Sequence, residues 1–93
     1  MPGLEHVRVR VVITGRVQGV FFRDACREHA RAEGLAGWVR NRGDGAVEAE
    51  FEGPQAAVDR VVAWCHDGPP RAQVEHVTVT TIPTLGARGF RIR

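Results

Sequence analysis

Lysine is absent from these 93 residues, and all 13 basic side chains are arginine. Eleven acidic residues bring the formal charge to only +2, although the pI is about 9.0. An all-arginine set can mark a surface for nucleic acid or phosphate, but abundant Ala, Val and Gly favour the reading of a compositional habit. No apolar run approaches the roughly 20 residues needed to span a bilayer. The N-terminal MPGLEHVRVR also has no apolar core of the kind a signal peptide carries. Cytoplasm is the expected compartment, with no membrane partner. Cys26 and Cys65 have the spacing of neither a disulfide framework nor a metal set. Both fall on the apolar stripe of a predicted helix, where cysteine serves as a small core residue. The histidines His6, His29, His66 and His76 are scattered, so no metal site is expected.

At this length the chain is expected to form one domain, residues 1–93. Such a domain buries only about 60–65% of its unfolded surface, which favours a compact, regular architecture. From His6 to Thr14, Val7, Val9, Val11 and Ile13 alternate with Arg8, Arg10 and Thr14, the pattern of a half-buried strand. Phe22 to Glu33 carries Phe22, Ala25, Cys26 and Ala30 at helical spacing, closed by Gly34. Leu35 to Arg42 reads as a second strand, and Gly43-Asp44-Gly45 turns it into a third, Ala46 to Glu52. Pro54 opens a second helix running to about His66, with Val58, Val61, Val62 and Cys65 on one face. Val74 to Ile82 is a fourth strand, and Phe90-Arg91-Ile92 a short terminal edge strand.

Strand, helix, strand, strand, helix, strand is the split βαβ order. It predicts an α+β, ferredoxin-like sandwich: an antiparallel four- to five-stranded sheet with both helices on one face. The right-handed crossover rule makes the first two strands parallel, with the third between them. The second sheet face is expected to be open to solvent, with Arg8 and Arg10 facing Glu48, Glu50 and Glu52. Each such cross-strand pair contributes about 0.2–1 kcal/mol.

The stretch Gly15-Arg16-Val17-Gln18-Gly19-Val20-Phe21-Phe22-Arg23 joins the first strand to the first helix. Glycines at 15 and 19 let backbone N–H groups converge, and the helix adds its positive N-terminal end. Arg23 brings a planar cationic fork to the same place. Together these describe a site for a small dianion such as phosphate. Because the first two strands are parallel, Asn41, at the end of the second, arrives at the same sheet edge. It shares the helix-covered side with Val39.

The chemistry at that edge is sparse. No Ser/His/Asp set, cysteine or carboxylate pair is aimed there. Asp24 reads as a helix-dipole partner, and His29 as a packed or rim histidine. Phosphoryl transfer has a loose transition state, so positioning and charge stabilisation can suffice. Without a general acid the leaving group must depart unprotonated. A carboxylate does so readily because its conjugate acid has a pKa of about 4, whereas an ordinary alkoxide does not. These residues therefore fit mixed carboxylic–phosphoric anhydrides better than phosphate monoesters.

GRVQGVFFR resembles the first signature of the acylphosphatase family, G-x-V-Q-G-V-x-[F/M]-R. GWVRNRGDGAVEAEFEG, residues 37–53, is similar to the second, G-[FYW]-[AVC]-x-N-x3-G-x-V-x5-G, at every fixed position. Gly68-Pro69-Pro70-Arg71 and the closing Phe90-Arg91-Ile92 also resemble family segments, so the likeness covers nearly the whole chain. It implies a ferredoxin-like fold and hydrolysis of small acyl phosphates to a carboxylate and inorganic phosphate, with no metal or cofactor. It further implies that Arg23 and backbone N–H groups of Gly15, Arg16, Val17, Gln18, Gly19 and Val20 bind the phosphate. Asn41 orients the attacking water, and the substrate phosphate itself serves as base. Gln18 shapes the loop. Nothing in the sequence demands more than a monomer.

Two other readings share the fold order. RNA-recognition modules do, and Val20-Phe21-Phe22 has a vague likeness to their aromatic run. Their stacking aromatics, however, belong on the open face of the central strands, where this chain has arginines and glutamates; no nucleic acid is expected. The other is a catalytically idle module recognising acyl or carbamoyl phosphate, as in larger proteins that carry this domain.

Overall fold

The computed structural model describes residues 3–93; residues 1 and 2 of the expected domain lie outside the described part. The elements run β1 (His6–Arg16), α1 (Phe22–Ala32), β2 (Ala36–Asn41), β3 (Val47–Pro54), α2 (Gln55–Cys65), β4 (Gln73–Ile82) and β5 (Phe90–Ile92). They form one five-stranded sheet in the order β4-β1-β3-β2-β5. β3 is antiparallel to both β1 and β2, so those two strands point the same way, as the crossover rule requires. β5 pairs parallel with β2, which makes the sheet mixed rather than wholly antiparallel.

Alternation along β1 sends Val9, Val11 and Ile13 to the helix-covered face, where Val11 and Ile13 are fully buried. Val39, Val47, Ala49 and Phe51 join them from β2 and β3, beneath Phe22, Cys26 and Ala30 of α1 and Val58, Val61 and Cys65 of α2. Phe51 stacks on Phe90 at 5.5 Å, which seats the short β5. Arg31 of α1 donates two hydrogen bonds to the Phe90 carbonyl, at 2.9 and 3.2 Å, and so pins β5 from the helix side. Both cysteines are free and buried. A hydrogen bond with the Cys65 thiol, then burial, pushes the Cys26 thiol well above its ordinary value, so it packs as a neutral core group. His29, exposed, stacks on Trp64 at 4.4 Å, the rim role among the two expected of it.

The second face of the sheet is only partly open, contrary to the sequence expectation: the Arg10 and Arg40 side chains are 48% and 45% exposed, but the Arg8 end is closed over. Arg8 is only 2% exposed, and Glu48, Glu50 and Glu52 are buried beside it. Arg8 bridges Glu50 at 2.8 Å and Glu52 at 2.9 Å. Arg10 holds the other oxygen of Glu50 at 2.9 Å, and Arg40 lies 2.6 Å from Glu48. The loop after β4 closes over one end of this network, where Leu85 and Gly86 donate backbone N–H bonds to Glu52 at 2.9 and 2.8 Å. The long arginine stems and this loop exclude water, so the row becomes a hydrogen-bonded layer instead of a set of solvated pairs.

Burial pushes the Glu50 carboxyl up, but hydrogen bonds and charge from Arg8 and Arg10 outweigh it and hold the group below the usual carboxylate range. Glu52 behaves alike: burial raises it, and the Leu85 N–H, Arg8 and the Gly86 N–H lower it further. A folded-state value below the unfolded one stabilises the protein above the ordinary carboxylate range and is lost as pH falls through the lowered value. Urea midpoints should therefore hold from pH 7 to about 5 and fall below about pH 4. Arg8→Met leaves two buried carboxylates short of a partner. It should cost about 3 kcal/mol at pH 7, and because Arg8 no longer lowers Glu50 and Glu52, the fall in stability on acidification should be smaller than in the wild type.

Candidate active site

β1 reaches two residues further than its alternation suggested. Gly15 and Arg16 still pair with Val74 and Gln73 of β4, across a register shift between Thr14 and Gly15. Gly15 has φ +121°, and a Cβ there would sit 2.2 Å from the Gln73 carbonyl oxygen, so the close approach of β4 requires glycine. The free loop is thus 17–21. Val17 and Val20 anchor it in the core at 1% and 5% exposure. Gly19 turns it at φ +74°.

Gln18 ties this loop to the β2–β3 hairpin. Its side-chain amide donates to the Arg42 carbonyl at 2.7 Å and the Ala46 carbonyl at 3.0 Å. Its role is therefore positional: it couples the loop to the strand end that carries Asn41. α1 starts immediately after the loop, and no side chain caps its first turn. An uncapped N-terminus presents unsatisfied N–H groups and a partial positive charge. Asp24 stands in that first turn. It is exposed and lies 3.5 Å from Arg27.

Phe21, at the N-cap, has φ 64° and ψ 26°. It is the one non-glycine among the described residues with positive φ. A left-handed phenylalanine costs about 1 kcal/mol or more, and such strain concentrates where a site is being shaped.

Val17, Gly19, Phe21, Phe22, Arg23, Asp24 and Asn41 line one hollow of about 310 Å³. Arg23 is exposed and takes part in none of the ion pairs among the described residues. The Asn41 Oδ1 is buried and accepts no hydrogen bond, the only such side-chain atom among the described residues. A buried carbonyl oxygen left without a donor costs about 1–3 kcal/mol. The free guanidinium, the uncapped helix and the orphan acceptor meet in one place although their residues are distant in sequence. Of the sequence-expected residues, Gly15 and Arg16 lie behind the hollow, in the strand, and Gln18 stands beside it.

A larger hollow of about 710 Å³ runs along the β5 edge and includes Arg8, Arg31, Trp38, Leu85, Arg91 and Arg93. Three of its five arginines are engaged, whereas Arg88 and Arg91 take part in no ion pair among the described residues. Arg8 is held by glutamates, Arg31 by the Phe90 carbonyl, and Arg93 stacks 4.4 Å from the Trp38 centroid. The smaller hollow is the one that brings together an unpaired arginine and a side-chain acceptor without a donor.

The acylphosphatase family profile matches residues 9–92. This chain belongs to the acylphosphatase family. The acylphosphatase of Rubrobacter xylanophilus is 61% identical over 87 residues, spanning 92% of this chain and 79% of that protein. The solved acylphosphatase of Coxiella burnetii superposes with a TM-score of 0.91 at 35% identity, covering 95% of this chain and 93% of that one. That of Bacillus subtilis gives 0.90 at 40% identity, covering 94% and 98%. Family membership supports hydrolysis of acyl phosphates, small-molecule substrates, as the activity. No helix among the described residues is long and apolar enough to cross a membrane. The RNA-module reading loses its footing too, since Arg8, Arg10 and the glutamates of the central strands are bound to one another.

The loop-to-hairpin tie is testable. Gln18→Glu keeps the shape but replaces the donor amide with a carboxylate that cannot bond either carbonyl. It should destabilise the protein by about 1–2 kcal/mol in urea unfolding and lower kcat about tenfold by misplacing Asn41.

Proposed function

We propose that this domain hydrolyses acyl phosphates through Arg23, the 15–20 loop and Asn41, with the water attacking phosphorus and the carboxylate leaving. The observation that carries the reading is that the unpaired Arg23 and Asn41, whose carboxamide oxygen has no donor, line the same hollow.

The substrate phosphoryl group rests against the uncapped start of α1 and the loop backbone, with the Arg23 fork bonding two of its oxygens. Gly15 and Arg16 contribute as the fixed end of β1 from which the loop departs. Asn41 Oδ1 accepts one O–H of a water and holds the water oxygen in line with the bond to be broken. As the water oxygen bonds to phosphorus, the P–O bond to the acyl group breaks. The electron pair departs on the carboxylate, which needs no proton. A non-bridging phosphate oxygen takes the water proton, so no protein base is required. In the loose transition state negative charge shifts onto oxygens already facing fixed donors, and that stabilisation costs no reorganisation. Asp24 lies close enough to line the hollow, but its charge is offset by Arg27. Its position suits helix-dipole stabilisation rather than proton transfer.

The activity is assayed with benzoyl phosphate in the presence of chelator, where turnover should persist. Arg23→Ala should raise KM and reduce kcat/KM by about 10²–10³-fold or more. Arg23→Lys should fail to restore it, because a point charge does not replace a bidentate fork. Asn41→Ala should lower kcat about 10²-fold with KM within about threefold. Near-wild-type kinetics in both alanine variants would remove these residues from the reaction.

A further inference from the structure

Arg23, Asn41 and the loop account for the phosphate and the water, and leave the acyl half of the substrate without a contact. One side chain of the same hollow is left unexplained by that assignment. Phe21 is 69% exposed. It lines the hollow with Gly19, Arg23 and Asn41. Its backbone holds φ 64°, a conformation that glycine adopts at no steric cost. Gly19, two residues earlier, does so at φ 74°. A phenylalanine at 21 therefore adds strain while leaving most of its surface in solvent.

The neighbouring Phe22 differs in kind. It is 2% exposed and packs against Trp64 at 5.2 Å, so the core explains it. Val17, the other apolar side chain of the hollow, is 1% exposed. Apolar area available to a ligand is thus supplied by Phe21.

The geometry points to Phe21 as the residue that selects the acyl group: its ring is the apolar wall on which an aromatic or branched acyl phosphate packs. This rests on the proposed function and deepens it. The phosphate end of every substrate is held by charge and hydrogen bonds, which do not distinguish one acyl group from another. The carbon side of the anhydride leaves the phosphate and must lie along the rim. There a benzoyl ring can pack in an offset or edge-to-face arrangement on Phe21 and remove apolar surface from water. An acetyl methyl has too little surface to gain much. The domain should therefore prefer aromatic and bulky aliphatic acyl phosphates to acetyl phosphate.

The test compares wild type, Phe21→Asn and Phe21→Tyr on benzoyl phosphate and acetyl phosphate, with inorganic phosphate as inhibitor. Asparagine tolerates the left-handed backbone but removes the ring, and tyrosine keeps it. The benzoyl-to-acetyl ratio of kcat/KM should fall about tenfold in Phe21→Asn, through KM for benzoyl phosphate. It should stay within about twofold of wild type in Phe21→Tyr. The inhibition constant of phosphate should move by less than about twofold in either variant. An unchanged ratio, or an equal fall on both substrates, would overturn the assignment. Weakened phosphate inhibition in step with the ratio would also overturn it, by placing Phe21 in the phosphate cradle. Wild-type protein inert on both substrates would instead sink the proposed function, and this inference with it.

Discussion

Because β3 pairs antiparallel with both β1 and β2, those two strands point the same way and their C-terminal ends meet at one edge of the sheet. Every later feature of the site follows from that constraint. The loop leaves β1 at this edge, α1 starts there, and Asn41 closes β2 there. A hairpin directly between β1 and β2 would have put their ends at opposite edges and separated Arg23 from Asn41. The helical crossover makes the parallel arrangement possible, and β3 fills the gap it leaves.

Around that edge the molecule keeps several polar groups ready rather than satisfied. The first turn of α1 lacks a side-chain cap, and the Asn41 carboxamide oxygen has no donor. Phe21 holds a strained backbone. Each costs some stability, which the rest of the fold must offset. The offset comes from the apolar layer under both helices and from the Arg8–Glu50–Glu52 network on the far face. That network also fastens the 85–86 turn to the sheet. A rigid scaffold on both faces lets the 17–21 loop keep its shape with only the Gln18 side chain tying it sideways.

Much of this was legible in the sequence. Valine alternation marked β1, helical spacing placed Phe22, Cys26 and Ala30 in the core, and topology carried Asn41 to the loop. The misses share a cause, which is that they depend on contacts no local pattern encodes. β1 runs on to Arg16 because β4 approaches Gly15 closely, a tertiary fact. The acidic row on β3 looked solvated because alternating Arg and Glu usually are. The closing of its Glu52 end depends on the 85–86 turn folding back from far along the chain. The parallel pairing of β5 with β2 could not be read from three residues, although Phe90 stacking on Phe51 explains it in retrospect. The left-handed backbone of Phe21 was hidden because the residue type argues against it, and the same contradiction now makes it informative.

The central claim is that fixed charge and one oriented water suffice, provided the bond broken is phosphorus to oxygen and the carboxylate departs unaided. Hydrolysis of benzoyl phosphate in water enriched in ¹⁸O tests this directly. With Asn41 in its proposed role, holding the water against phosphorus, the label should appear in inorganic phosphate, with unlabelled benzoate. Label in the benzoate would mean attack at the acyl carbon, and would contradict the roles given to both Asn41 and Arg23.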